Sequence, residues 1–188
     1  MLLGSVDKPF SRNLWIAELK HDGWRAITEV RKDGVQIWSK QGRDITRYFP
    51  EMQELRQLFR KPVLLDGELC VIDEHGRPRF ERLRNRSHLH TLVAFDLLRV
   101  GRRMLLDEPW HERRTQLQSV TVDESGVLLL SQSTDDGIAL FNECEKRKIE
   151  GIVLKRIDAP YRSGRTRNWL KCKTAYGKRV TRARMAHG

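Results

Sequence analysis

An α+β fold of mainly antiparallel sheets flanked by helices is predicted by three features of the sequence. Short β-favouring runs are broken by Asp-Gly dipeptides, apolar runs of strand length recur along the chain, and a few stretches space their apolar residues at helical intervals. The 188 residues, 39% of them hydrophobic, can bury one core, so one domain with at most a small appendage is expected.

Leu14 to Leu19, Trp24 to Val30 and Val35 to Ser39 are the first β-favouring runs. Asp22-Gly23 and Asp33-Gly34 separate them as turn dipeptides, which predicts an antiparallel meander. Pro50 then introduces Glu51 to Arg60, where Met52, Leu55, Leu58 and Phe59 fit an amphipathic helix. Val63 to Ile72 is apolar except for Asp66-Gly67-Glu68, and Thr91 to Leu98 is apolar except for Asp96; both are predicted to be buried strands. Helices are predicted over Arg79 to Arg86, Trp110 to Leu117 and Asp136 to Lys148, the last with Ile138, Leu140, Phe141 and Cys144 on its apolar face. Val127 to Ser131, Ile152 to Arg156 and Trp169 to Lys173 complete the strands, and Lys178 to Gly188 has the composition of a basic tail. No repeat or low-complexity tract interrupts this order.

Lys and Arg outnumber Asp and Glu by 36 to 25, which suits a polyanionic partner such as nucleic acid or a nucleotide. The three cysteines, Cys70, Cys144 and Cys172, lie far apart without a C-x-x-C pair. That spacing argues against a disulfide framework or a zinc site and fits a reducing cytoplasm. His88 and His90 fall in the basic stretch Arg82 to His90 and are expected in a solvated loop without chemistry. No apolar run approaches membrane-spanning length, and Met1-Leu2-Leu3-Gly4 is too short for a secretory core, so no membrane partner is expected.

Charged residues inside apolar strands are costly unless they are paired or hold a ligand. Asp66 and Glu68 alternate around Gly67 and share one strand face, with Leu65 and Leu69 on the other. Lys171 and Lys173 share a face in the same way, so Cys172 points into the core. Lys20-His21-Asp22-Gly23-Trp24-Arg25 adds a lysine beside a carboxylate, a glycine and an arginine, a set suited to nucleotidyl transfer.

In order, the chain carries Lys20-x-Asp22-Gly23-x-Arg25, Ser39-Lys40-x-Gly42-Arg43, Asp66-Gly67-Glu68, Phe95-Asp96, Glu150-Gly151-Ile152-Val153-Leu154-Lys155 and Trp169-Leu170-Lys171-x-Lys173. This series resembles the covalent nucleotidyltransferases, and most closely the adenylation domain of bacterial ATP-dependent DNA ligases, including the ligase domain of the end-joining ligase D group. Ser39 to Thr46 followed by Phe49-Pro50-Glu51, and Tyr161-x-Ser163-Gly164-Arg165, are similar to ligases specifically. The resemblance covers residues 14 to 173 and several ordered motifs, which is far more specific than one hexapeptide. It implies the fold shared by DNA ligases and mRNA-capping enzymes, ATP-grasp-like, over residues 1–177, with 178–188 as the tail and no OB-fold domain.

The resemblance also implies roles. Lys20 attacks the α-phosphate of ATP to form lysine-AMP. AMP then passes to the 5′ phosphate of a DNA nick, and the 3′ hydroxyl seals it in DNA repair. Lys171 and Lys173, with a divalent metal, Mg²⁺ or Mn²⁺, are expected to favour the neutral amine and to balance phosphate charge. Glu150 resembles the metal-site carboxylate, Glu68 either shares the metal or contacts the ribose, and Asp22 orients either the metal's waters or Lys20. Phe95 is the expected stacking platform for the purine, with Ile152 or Val153 on the other side, and Glu18 resembles the reader of the adenine amino edge. Arg25 is expected on the ribose or the 5′ phosphate, and Lys40 and Arg43 on phosphate. Lys40 departs from the family's usual arginine and cannot grip phosphate bidentately.

Nicked duplex DNA is the expected partner of a monomer, joined by a separate OB-fold or end-joining protein. The implied location is the bacterial cytoplasm at the nucleoid. RNA ligase or guanylyltransferase activity, adenylation alone, and simple nucleic-acid binding are the alternatives.

Overall fold

The structure, a computed structural model, describes residues 1–74, 76–85 and 87–186. Among the described residues, eleven strands and three α-helices follow one another. The strands are β1 (Leu2–Ser5), β2 (Trp15–Leu19), β3 (Trp24–Val30), β4 (Val35–Ser39), β5 (Val63–Cys70), β6 (Thr91–Val100), β7 (Arg103–Met104), β8 (Leu128–Leu130), β9 (Ser133–Thr134), β10 (Gly151–Arg156) and β11 (Arg165–Lys173). The helices are α1 (Trp110–Val120), α2 (Gly137–Arg147) and α3 (Ala175–Ala186). No helix among the described residues is long and apolar enough to cross a membrane.

The α+β prediction holds, with the chain divided into two compact units, one of residues 1–21 and 132–188 and the other of residues 22–131. In the first unit the strand order is β1-β11-β10-β2-β9, antiparallel except where β1 runs parallel to β11. Ala17, Ile152, Leu154 and Cys172 project from one face of this sheet and pack with Cys144 of α2 into an apolar core. Alternation along the strands sends Glu18, Val153 and Lys171, which are cross-strand neighbours, to the opposite face.

The second unit has the order β4-β3-β5-β6-β7, with β8 parallel to β6. Its core takes Ala26 and Val30 from β3, Leu65 and Leu69 from β5, and Leu117 from α1. Arg25, Asp66 and Glu68 alternate away from that core, Arg25 lying directly opposite Glu68. In β6, Leu97 and Asp96 pair with Leu65 and Asp66, but Ala94 already faces Gly67, so Phe95 is the extra residue of a β-bulge.

Several local expectations change. The meander is only half present: β3 and β4 pair, while β2 belongs to the other sheet, so Asp22-Gly23 lies where the chain passes between units rather than in a hairpin. Gly23 has no left-handed backbone; it is required because a Cβ there would lie 2.2 Å from the Leu69 carbonyl oxygen. The amphipathic α-helix of Glu51 to Arg60 is a 3-10 helix over Pro50–Gln57, in which Met52 and Leu55, three apart, both face the core. Of the helix expected over Arg79 to Arg86, only Phe80–Arg82 forms a 3-10 turn, and Arg86 lies outside the described residues.

His90 is not in a solvated loop. It is 2% exposed, its Nδ1 lies 2.6 Å from Glu51 Oε1 and its Nε2 3.1 Å from the Leu83 carbonyl oxygen, so it ties the 3-10 helix and the 80s loop to the start of β6. The basic end is helical as far as Ala186 rather than a tail, and its last two residues lie outside the described ones. All three cysteines are free and buried, and burial pushes the Cys144 thiol up to about 11.

Candidate active site

The first unit gathers the lysine of the hexapeptide and its partners. Asp136 caps α2 by accepting from Ala139 N, and at the other end Lys148 takes a left-handed conformation. Ile149 N then donates to the Cys144 carbonyl, a closing pattern that turns the chain sharply into Glu150 and β10. Gly151 follows at φ 151°, where a Cβ would lie 2.2 Å from the Cys172 carbonyl oxygen, so only glycine lets β10 and β11 meet beside Glu150. Lys20 extends β2 and donates its N–H to the Gly151 carbonyl at 2.9 Å.

These constraints bring three charged groups together. Lys20 Nζ donates to Glu150 Oε2 at 2.7 Å, and Lys173 Nζ lies 2.8 Å from Glu150 Oε1. Glu150 is 7% exposed and each lysine a little under one fifth, so one sheltered carboxylate holds two partly accessible ammonium groups. Lys173 also donates to Thr181 Oγ1 of α3 at 2.5 Å. Thr174 Oγ1 donates to the Ile149 carbonyl at 2.6 Å, and a Cβ on Gly177 would lie 2.0 Å from the Glu150 carbonyl oxygen, so α3 presses on the same corner.

A second buried pair lies on the charged face of this sheet. Lys155 Nζ is 2.9 Å from Glu18 Oε1 and 4.1 Å from the centre of the Trp169 ring. The distance is that of an ion pair, although Oε1 receives no well-aligned hydrogen bond. Next to Lys20, burial first and then the charges of Lys155 and Lys20 push the His21 imidazole down to about 4.

In the second unit, Arg25 pairs bidentately with the fully buried Asp66, and its guanidinium lies 4.8 Å from the centre of the Phe95 ring. Asp96, the carboxylate inside an apolar strand, is explained by Arg113 of α1. Its Nε and Nη2 each donate to Asp96 at 2.7 Å, and both side chains are fully buried.

A family model described as the ATP dependent DNA ligase domain matches residues 4–173. The chain belongs to this family. It is similar to the SPbeta prophage-derived DNA ligase-like protein LigB of Bacillus subtilis, 32% identical over 91% of this chain and 65% of that protein. It is also similar to the multifunctional non-homologous end joining protein LigD of Mycolicibacterium smegmatis, 34% identical over 90% of this chain and 23% of that protein. Among solved structures, mycobacterial DNA ligase D complexed with ATP and MES aligns with TM-score 0.80 and 30% identity, over 92% of this chain and 59% of that one. The chain thus spans less than two thirds of the length of these relatives.

Within this ligase domain, Glu18, Lys20, Glu150, Lys171 and Lys173 share one unit, whereas Asp22, Arg25, Lys40, Arg43, Glu68 and Phe95 belong to the other. Ile152 is corrected: it lies in the apolar core with Cys172, and Val153 is the residue on the face of Glu18 and Lys171. Lys40 and Arg43 project, exposed, from a tight turn closed by Gly42 N donating to the Ser39 carbonyl at 2.8 Å. Lys155, Thr181 and Arg113 were not singled out by sequence. A lysine at the end of an apolar run was the available signal for Lys155, the same kind of signal that marked Asp96.

The residues do not fit a metal ion held by the protein alone. Both oxygens of Glu150 already meet ammonium groups, and no group of three or more His, Cys, Asp or Glu side chains among the described residues could hold an ion. Mg²⁺ commonly binds through one or two carboxylates together with substrate phosphates, an arrangement that does not require a group of protein ligands.

Proposed function

We propose that this ligase domain adenylates itself at Lys20 and passes the AMP to nicked DNA. The observation that carries the reading is the Lys20–Glu150–Lys173 cluster: a lysine amine held beside a second lysine by one sheltered carboxylate. Attack requires Lys20 to release a proton to solvent and its amine to leave Glu150. An incoming triphosphate competes for Lys173 and loosens the cluster as it binds. The amine lone pair then forms an N–P bond to the α-phosphate, the bond to the β-phosphate oxygen breaks, and pyrophosphate leaves while Lys171 and Lys173 balance its charge.

Further roles follow. Glu18, kept in place by Lys155, reads the adenine amino edge, and Val153 lines the base. Phe95 offers a ring face to the purine, Glu68 the ribose, and Arg25, Lys40 and Arg43 take phosphates. Asp22 orients the nucleophile. AMP then moves to the 5′ phosphate of a nick, where attack by the 3′ hydroxyl releases it and seals the strand, a DNA repair reaction at the bacterial nucleoid. An end-joining protein assists. Support for DNA as the substrate comes from the family match and from the excess of basic residues.

The test is transfer of α-labelled phosphate from ATP to the protein with Mg²⁺ or Mn²⁺, beside Lys20→Ala and beside GTP. Label from ATP on the wild type alone is expected. Equal label on Lys20→Ala, or none on the wild type with either metal, overturns the reading.

A further inference from the structure

The helix α3 has two different sides. Its inner side carries Gly177 and Thr181, which press on Glu150 and hold Lys173. Its outer side carries Lys178, Arg179 and Arg182, all exposed, and no acidic residue occurs between Ala175 and Ala186. Lys178 and Arg182 are four positions apart and Arg179 and Arg182 three, so their side chains form one stripe. Like charges at these spacings disfavour an isolated helix, and the carboxylate at its positive end comes from α2, where Glu145 Oε1 accepts from Ala175 N at 2.9 Å. Among the described residues, neither Lys178 nor Arg182 pairs with a carboxylate, so the outer stripe itself carries uncompensated positive charge.

We infer that the outer stripe of α3 docks the phosphate backbone of duplex DNA. The choice of DNA over another polyanion rests on the ligase reading proposed above; the need for a polyanion rests on the stripe itself. Arginine and lysine on a rigid helix bind phosphate without reading sequence, so the stripe sets where the duplex lies rather than which sequence it has. Because the same helix braces Glu150 and Lys173 from its other side, the docked backbone is carried by an element in direct contact with the lysine cluster.

The test measures binding of a fluorescent nicked duplex over a series of salt concentrations. Each phosphate contact contributes about 0.9 to the slope of log affinity against log salt. The triple variant Lys178→Ala, Arg179→Ala, Arg182→Ala is expected to lose about 2 to 3 from that slope, whatever the DNA sequence. Its self-adenylation from α-labelled ATP stays at the wild-type level, because none of the three residues touches Lys20, Glu150 or Lys173.

Should the triple variant fail to fold, Arg182→Gln decides, with an expected loss of about 1 in slope, and Arg182→Lys retains the wild-type slope. An unchanged slope in a folded, adenylating variant overturns the inference and assigns the stripe to an acidic protein surface instead. A wild type that takes no label while the variants still lose slope overturns the adenylation reading and leaves the docking inference standing.

Discussion

Replacing Lys155 with methionine removes the cation that faces Glu18 and leaves a carboxylate 2% exposed inside the sheet. Lys155 is itself 2% exposed, so the pair is screened by protein rather than by water. Removing one partner of a buried ion pair costs about 3–5 kcal/mol, because the remaining charge has lost both water and partner. The contact with the Trp169 ring, at 4.1 Å, adds a smaller loss of about 0.5–2 kcal/mol, which a methionine thioether partly restores. In urea, with a slope of about 2 kcal/mol/M, a loss of this size lowers the midpoint by about 2 M.

Glu18→Leu combined with Lys155→Met replaces the pair by apolar groups of similar size. It is expected within about 1 kcal/mol of the wild type, because the desolvation cost disappears together with the attraction. The assay is urea unfolding followed by tryptophan fluorescence for the wild type, both single variants and the double. A double variant costing the sum of the singles, or a Lys155→Met cost below about 1 kcal/mol, refutes the claim that the two charges depend on each other.

Arg113→Met strands the fully buried Asp96 and is expected to cost about 3–5 kcal/mol in thermal unfolding; Arg113→Lys does little better because it cannot make the two-pronged contact. His21, pushed down from 6.5 to about 4, is neutral in the fold while the unfolded chain binds a proton below 6.5. Its contribution is therefore complete above pH 6.5 and is lost as pH falls towards 4. It amounts to about 3 kcal/mol, and pH-dependent unfolding of His21→Gln should be flatter across that window. Gly177→Ala places a Cβ where the Glu150 carbonyl oxygen lies 2.0 Å away, so α3 must shift; about 1–3 kcal/mol of stability and much of the rate of Lys20 labelling should be lost, read by melting and by label uptake.

Much of the fold was legible because strand alternation is a local property. Asp66, Gly67 and Glu68, or Lys171, Cys172 and Lys173, need only the two-residue period to assign faces, and Leu65, Leu69 and Cys172 do reach the cores. Pairing is not local. Nothing in Leu14 to Val30 says that β2 joins β10 while β3 joins β5, since a turn dipeptide looks the same whether the chain reverses into one sheet or leaves for another. The bulge at Phe95 is hidden for the same reason, because an extra residue exists only relative to the partner strand. The 3-10 helix at Pro50–Gln57 has the sequence of an α-helix as well, because spacings of three residues satisfy both geometries over so short a run.

The candidate site shows the same division at the level of charge. Lys20, Glu150 and Lys173 could each be picked out as residues too polar for their surroundings, yet sequence reasoning assigned Glu150 to a metal and the other cations to the task of freeing the Lys20 amine. The structure puts Glu150 between the two lysines, 130 positions from one and 23 from the other. The carboxylate therefore pairs with Lys20, and in the proposed reaction that pair must open before the amine attacks. For a lysine transferase this makes chemical sense only if substrate unmakes the pair. Phosphate oxygens offer Lys173 several acceptors in place of one, and any cation arriving with them competes for the oxygens of Glu150. In the proposed reaction, triphosphate binding then supplies both the electrophile and the release of Lys20 from Glu150.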